Sequence, residues 1–152
     1  MTLHAFLLCL HLLAATVWVG GMFFAHVCLR PAALQTLEPP QRLALWQALF
    51  ARFFPWVNGA IATLILTGGG MMHRAGSGNL PPAWQLMATI GLVMTAIYLS
   101  IRLGPYRRFG HAQAVADLAA AAKAQGEIRR RIFVNLMLGL VTLIVATLGM
   151  LL

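Results

Sequence analysis

Four long apolar stretches contain none of the charged residues of this chain, and they constrain the fold more than any other feature. They cover about residues 3–29, 53–73, 80–101 and 132–152. At about 1.5 Å per residue, each can cross a hydrocarbon core of roughly 30 Å, and in lipid only a helix satisfies its own backbone hydrogen bonds. The sequence therefore predicts an all-α, integral membrane four-helix bundle in which residues 1–152 form one domain.

Charged residues make up only 9% of the chain, compared with about 25% in an ordinary soluble domain. The net charge of +8 would suggest nucleic-acid binding in a soluble protein. Here the basic residues lie in loops between apolar stretches, as membrane topology requires. We therefore exclude nucleic acid as a partner and expect membrane lipid to surround the bundle.

The distribution of basic residues predicts the orientation of the spans. The loops at residues 30–52 and 102–131 carry ten Lys and Arg residues, whereas the turn at residues 74–79 carries only Arg74. Basic loops remain in the cytoplasm during insertion. Both termini are therefore expected on the outer, periplasmic side.

The two cytoplasmic loops contain further predicted structure. Pro31 is expected to end the first span. Residues 41–52 are expected to form a short amphipathic helix at the membrane interface, with Trp46 and Phe50 towards the acyl chains. The Ala-rich residues 111–126 are expected to extend a helix into the cytoplasm.

Histidines within the spans need an explanation, because an ionisable side chain at membrane depth is costly and usually functional. His4, His11 and Trp18 are spaced seven residues apart and share one face of the first helix. His4 and His11 belong to its outer half, and His73 lies at the outer end of the second span. We expect these three histidines to converge at the outer end of the bundle.

Methionines accompany the histidines at that end. Met71 and Met72 directly precede His73, and Met1 and Met150 are expected at the same level. Thioether sulfur and imidazole nitrogen together suit copper, Cu(I) in particular, far better than magnesium or calcium. We therefore predict a copper site with the following ligands: His4, His11, Met71, Met72 and His73.

His11 has a structural alternative. It could form a hydrogen bond to a neighbouring helix, with Asn135, Thr63 or Thr67 as the partner. Small residues at Gly20 and Gly21 and at residues 68–70 would let such a helix approach closely.

Haem b is a second alternative, because two imidazoles on facing helices of a membrane bundle can hold it. The available pairs are His73 with His11 or with His4, and Trp18 would lie beside the cofactor. His26 and His111, on the cytoplasmic side, could form a separate site.

The small number of acidic residues excludes several classes of enzyme. The chain has only three, Glu38, Asp117 and Glu127, and all lie in the cytoplasmic loops. Catalysis by paired carboxylates and carboxylate proton relays within the membrane are therefore excluded. The chain also lacks a nucleophile elbow, a phosphate-binding glycine loop and a CxxC motif, which excludes hydrolase and nucleotidase functions.

Two segments resemble a known family. The run from His11 to Gly21, HLLAATVWVGG, with Leu29-Arg30-Pro31 after it, resembles the first helix of the CopD copper resistance membrane domain. It is also similar to the first helix of HemJ, a haem-containing protoporphyrinogen oxidase of bacteria. The start of the fourth span, from Arg130 to Asn135, resembles the last helix of both. Residues 84–87 lack the histidine and basic residue that HemJ-like proteins have there.

The CopD resemblance implies a protein of the bacterial inner membrane that takes part in copper binding, transport or resistance. Its partner would be the copper ion or a periplasmic copper carrier protein. The HemJ resemblance implies the alternative, a haem b redox protein for porphyrin oxidation or electron transfer. An enzyme is expected only in the second case, and a homo-oligomer is compatible with both.

Overall fold

The computed structural model describes residues 3–76 and 80–149, and these residues are helical apart from short connections. Four helical stretches are long and apolar enough to cross a membrane, which confirms the predicted all-α four-helix bundle. We number the helices in chain order: α1 is Leu3–Thr36, α2 is Pro39–Ala75, α3 is Pro82–Leu103, α4 is Pro105–Ala114 and α5 is Leu118–Leu148. Helix α1 packs on α2, α3 packs on α5, and the short α4 packs on α5.

The sequence predicted that the first helix ends at Pro31, but helix α1 continues to Thr36. Two π-helical turns, Thr16–Gly20 and Phe24–Leu29, lie before the proline. A π-helical turn shifts the hydrogen-bond pattern by one residue, so that the missing N–H of a proline need not end the helix.

Helix α2 is continuous along its whole length, so residues 41–52 are not a separate interfacial helix, and that prediction was wrong. The helix passes through Pro55 without a break. Trp46 and Phe50 do not face acyl chains, because only 8% and 3% of their surfaces are exposed. The prediction failed because an aromatic face has the same helical spacing whether it meets lipid or protein.

Residues 111–126 do not form one helix, contrary to prediction. Helix α4 ends at Ala114, and a turn follows in which Ala116 has a φ of 56°. The Asp117 side chain then accepts a hydrogen bond from the Ala120 N–H at 2.9 Å and caps α5. The Ala-rich composition favours helix, but a carboxylate at a helix start satisfies free N–H groups and sets a boundary.

Aromatic side chains fill the core near the loops. The Phe54 ring stacks on Phe50 with centroids 5.2 Å apart, and it meets the Tyr98 and Tyr106 rings edge-on at 5.6 Å and 4.9 Å. The Arg102 guanidinium lies 5.4 Å from the Phe54 ring centroid, a cation–π contact. This cluster joins α2, α3 and α4.

Burial divides the bundle into two halves. We call residues 3–13, 68–76, 80–93 and 140–149 the terminal half, and residues 14–67 and 94–139 the basic half. Every buried residue of the described chain belongs to the basic half. The terminal half contains a single Lys or Arg residue, Arg74. Positive-inside topology predicts that the terminal half is periplasmic.

Candidate functional site

Glycines set the close contact between α1 and α2. A methyl group added to Gly70 would lie 3.6 Å from Leu7 Cδ1, and one added to Gly68 would lie 3.2 Å from His11 Cε1. Deeper in the bundle, a methyl group on Gly21 would overlap the Phe53 ring. The two helices therefore run antiparallel in direct contact, and rings from each fill the space that glycines of the other leave.

His11 lies in this contact and is half-buried. Its Nδ1 is 2.8 Å from Thr67 Oγ1, and that hydroxyl donates its proton to the Thr63 carbonyl at 2.6 Å. Because a threonine hydroxyl has one proton, Thr67 must accept from His11, which assigns the N–H to Nδ1. The Nε2 atom then carries a free lone pair, the state in which imidazole binds a metal.

The other predicted ligands surround the end of this contact. Met71 lies one helical turn beyond Thr67 on the same face of α2, and both Met71 and Met72 are half-buried. His4 and His73 are exposed near the ends of α1 and α2. The predicted neighbours Met1 and Met150 lie outside the described residues.

Trp18, predicted to lie beside a cofactor, is part of the protein core. It is 3% exposed, and its ring meets the Tyr98 ring edge-on at 6.4 Å. Tyr98 in turn donates its hydroxyl proton towards Asn58 Oδ1 at 2.7 Å. The Trp18 indole therefore helps to hold α1 against α3.

Within residues 3–76 and 80–149, no three His, Cys, Asp or Glu side chains lie close enough together to hold a metal ion. The two cysteines, Cys9 and Cys28, are exposed and unpaired. A copper site with three ligands in this part of the chain would therefore need methionine sulfur. This is consistent with the predicted mixed set, because Cu(I) accepts thioether and imidazole ligands together.

A haem b between His11 and His73 does not fit this arrangement. The two imidazoles would have to face each other across a flat macrocycle. Helices α1 and α2 instead touch at Leu7 and Gly70 and at His11 and Gly68, so the contact leaves no slot for a porphyrin. The His11–His73 pair therefore does not fit haem b, whereas the His4–His73 pair stays a prediction.

The histidines of the basic half have separate surroundings. His26 lies with its ring centroid 5.0 Å from that of Phe133, and His111 is exposed on α4. They belong to no metal-binding group of histidine, cysteine and carboxylate side chains in the described residues.

Asn135 is a buried polar residue with an unusual environment. It is 2% exposed, and its Oδ1 atom has no hydrogen-bond partner among the described residues. The sequence suggested Asn135 as one of three partners for His11, but the partner is Thr67. An unpartnered amide oxygen in an apolar core is destabilising.

The sequence predicted that the glycines at residues 68–70 would let a neighbouring helix approach closely, and Gly68 lies against the His11 ring. Sequence reasoning missed the role of Tyr98, which contacts Trp18 and donates a hydrogen bond to Asn58.

These features define an α-helical integral membrane protein. At the contact of two spans it carries a histidine whose Nδ1 is hydrogen-bonded and whose Nε2 is free. The model of the family "Copper resistance protein D", CopD, matches residues 47–148, about two thirds of the chain. The chain belongs to the CopD family, as the resemblance in its sequence indicated.

The matched residues include most of α2 and all of α3, α4 and α5, but not α1. Thr67, Met71 and His73 therefore lie in the matched part, and His11 lies outside it. No curated protein matches the chain, and no solved structure matches it. The resemblance to HemJ stays a prediction.

Proposed function

We propose that this membrane protein binds Cu(I) at the contact between α1 and α2 in its terminal half, and passes the ion across or along the periplasmic side of the bacterial inner membrane. The family supports a role in copper resistance. The observation that carries the finer proposal is the hydrogen-bonded chain from the Thr63 carbonyl through Thr67 to His11, which leaves His11 Nε2 as a free ligand.

The register of the two helices supports the same ligand set. Leu7 lies against Gly70, and His11 lies against Gly68. One further turn towards the helix ends brings His4 to the level of His73. The three histidines, Met71 and Met72 would then form a row of ligands along the contact, with His11 innermost and the exposed His4 and His73 at the surface.

Such a row of ligands suits an ion that moves between sites. Cu(I) binds two or three soft ligands, and neighbouring sites let it move by exchanging one ligand at a time. The terminal half contains no acidic residue, so hard cations find no carboxylate there. The exposed histidines would receive the ion from, or deliver it to, a periplasmic copper carrier protein.

The test is a Cu(I) titration of the purified protein in detergent, under reducing conditions, against a coloured Cu(I) chelator. We expect one tight Cu(I) per chain and its loss in His11→Ala. His111→Ala removes an exposed imidazole of the basic half and is the matched control, which should bind as the original protein does. Equal binding by both variants would contradict the proposal.

A reduced-minus-oxidised visible spectrum of the same preparation tests the haem alternative. We expect no Soret band. A Soret band that disappears in His11→Ala would overturn the copper proposal in favour of a haem b protein.

A further inference from the structure

A small pocket opens in the basic half where the ends of α1, α2 and α5 meet. We call it the basic pocket, and it is lined mainly by His26, Arg30, Trp46, Phe50, Gln125 and Arg129. Both arginines are half-buried. The pocket is partly open, and its inner space of about 20 Å³ holds one or two water-sized groups.

The chain has no carboxylate to neutralise these arginines. Its three acidic residues are all engaged elsewhere. Glu38 forms a reciprocal capping box with Gln41 at the start of α2, and Asp117 caps α5. Glu127 pairs with Arg108 at 2.7 Å, the single ion pair of the described residues.

The guanidinium groups of Arg30 and Arg129 therefore have no counter-ion among the described residues. Neither donates a hydrogen bond to another residue within the described part of the chain, in contrast to Arg131, which donates to the Ser100 carbonyl at 2.9 Å. Half-buried cations without a partner are costly, so a counter-ion from outside the chain would stabilise this end of the bundle. Guanidinium forks match phosphate oxygens in geometry and charge.

The surroundings indicate where that phosphate comes from. The pocket lies at the basic end of the bundle, where the headgroups of a bilayer are expected. Val27 and Phe133, beside it on α1 and α5, are 47% and 44% exposed and offer an apolar surface to an acyl chain. The pocket is only partly enclosed, so a phosphate group can enter it while the rest of the lipid stays outside.

We propose that the basic pocket binds the phosphate group of an anionic phospholipid headgroup through Arg30 and Arg129, with Gln125 and His26 as further donors. This site is independent of copper binding in the terminal half. The bound lipid holds the ends of α1, α2 and α5 together at the cytoplasmic face.

The test is native mass spectrometry of the whole protein in mild detergent, with phosphatidylglycerol or phosphatidylcholine added. We expect one phosphatidylglycerol to stay bound per chain in preference to phosphatidylcholine. The double variant Arg30→Gln with Arg129→Gln should bind phosphatidylglycerol at least about tenfold more weakly, which is the affinity that one charge-assisted hydrogen bond contributes. The matched control, Arg107→Gln, changes an exposed arginine of the same end and should leave binding unchanged.

Thermal unfolding with inorganic phosphate distinguishes the two sources of the group. Stabilisation of the original protein but not the double variant by inorganic phosphate, without retained phosphatidylglycerol, would overturn the lipid assignment and leave a free-phosphate site. If the double variant cannot be purified, Gln125→Leu takes its place, with several-fold weaker lipid binding expected. Equal lipid binding by the original protein and the pocket variants, or none by either, would overturn the proposal.

Discussion

The basic half of the bundle is closely packed around aromatic rings, whereas the terminal half has no buried side chain among its described residues. Phe50, Phe54 and Tyr98 bury their rings against one another between helices. In the terminal half, the α1–α2 contact instead consists of glycines, a histidine and leucine, with methionines at its end.

This difference separates stability from chemistry. Helix association in lipid depends on close van der Waals packing, since lipid chains are as apolar as the core. The aromatic cluster supplies that packing at one end. The other end is then free to carry the proposed copper ligands, which would have to bind and release an ion. Variants in the two halves should accordingly affect different measurements.

The largest expected effect is on stability, from Phe54→Ala. Only 2% of the Phe54 surface is exposed, so truncation leaves a cavity in the aromatic cluster. We expect a loss of at least about 2 kcal/mol in the free energy of unfolding, measured by denaturant titration in detergent micelles. Phe6→Ala, a truncation of a half-exposed ring in the terminal half, is the control and should have little effect. Similar losses in both variants would contradict the division into halves.

The next effect is on copper affinity, from Thr67→Val. Valine has the shape of threonine but cannot accept the His11 proton, so the imidazole loses its orientation and tautomer. Loss of such a supporting partner typically weakens metal binding about 10- to 100-fold. Thr67→Ser keeps the hydroxyl and should restore most of the affinity in the chelator titration. Unchanged affinity in Thr67→Val would show that the hydrogen bond is only structural.

A smaller effect is expected from Gly68→Ala. The added methyl group would lie 3.2 Å from His11 Cε1, so the ring must shift by a few tenths of an ångström. We expect Cu(I) affinity to fall several-fold. Gly69→Ala places the same methyl group where no atom lies within 4 Å, and it should bind copper normally. The reverse order of the two variants would place the site on another face of α2.

The smallest effect, of opposite sign, is expected from Asn135→Leu. The substitution removes a buried amide oxygen without a partner and keeps a similar volume. The free energy of unfolding should stay constant or rise by up to about 1 kcal/mol. A loss above about 2 kcal/mol would show that the amide makes bonds that stabilise the basic half. Reduced copper transport in a stable Asn135→Leu protein would instead assign the amide a functional role.

The four spans were predictable from the sequence, because apolar length follows directly from the thickness of a bilayer. The family was predictable because the residues from His11 to Gly21 and from Arg130 to Asn135 resemble its helices. The continuity of α2 through Pro55 and the burial of Trp46 and Phe50 were not. In a membrane chain, lipid and protein core are equally apolar, so composition does not tell which face of a helix packs inward.

The candidate copper site was predictable only in part. The presence of His11 in an apolar run indicated function. The choice of Thr67 among its three candidate partners could not be read from one sequence, because it depends on the register of two helices. That register is set by Gly21, Gly68 and Gly70, whose effect is visible only when the opposing side chains Phe53, His11 and Leu7 are in place.

X-ray absorption spectroscopy of the Cu(I)-loaded protein tests the central claim most directly, because it reports the elements bound to the ion. We predict mixed coordination by imidazole nitrogen and thioether sulfur, with the sulfur contribution lost when Met71 and Met72 are both changed to leucine and kept in Met137→Leu. Coordination without sulfur, or a spectrum that the Met71 and Met72 changes leave unaltered, would contradict a copper site at the contact of α1 and α2.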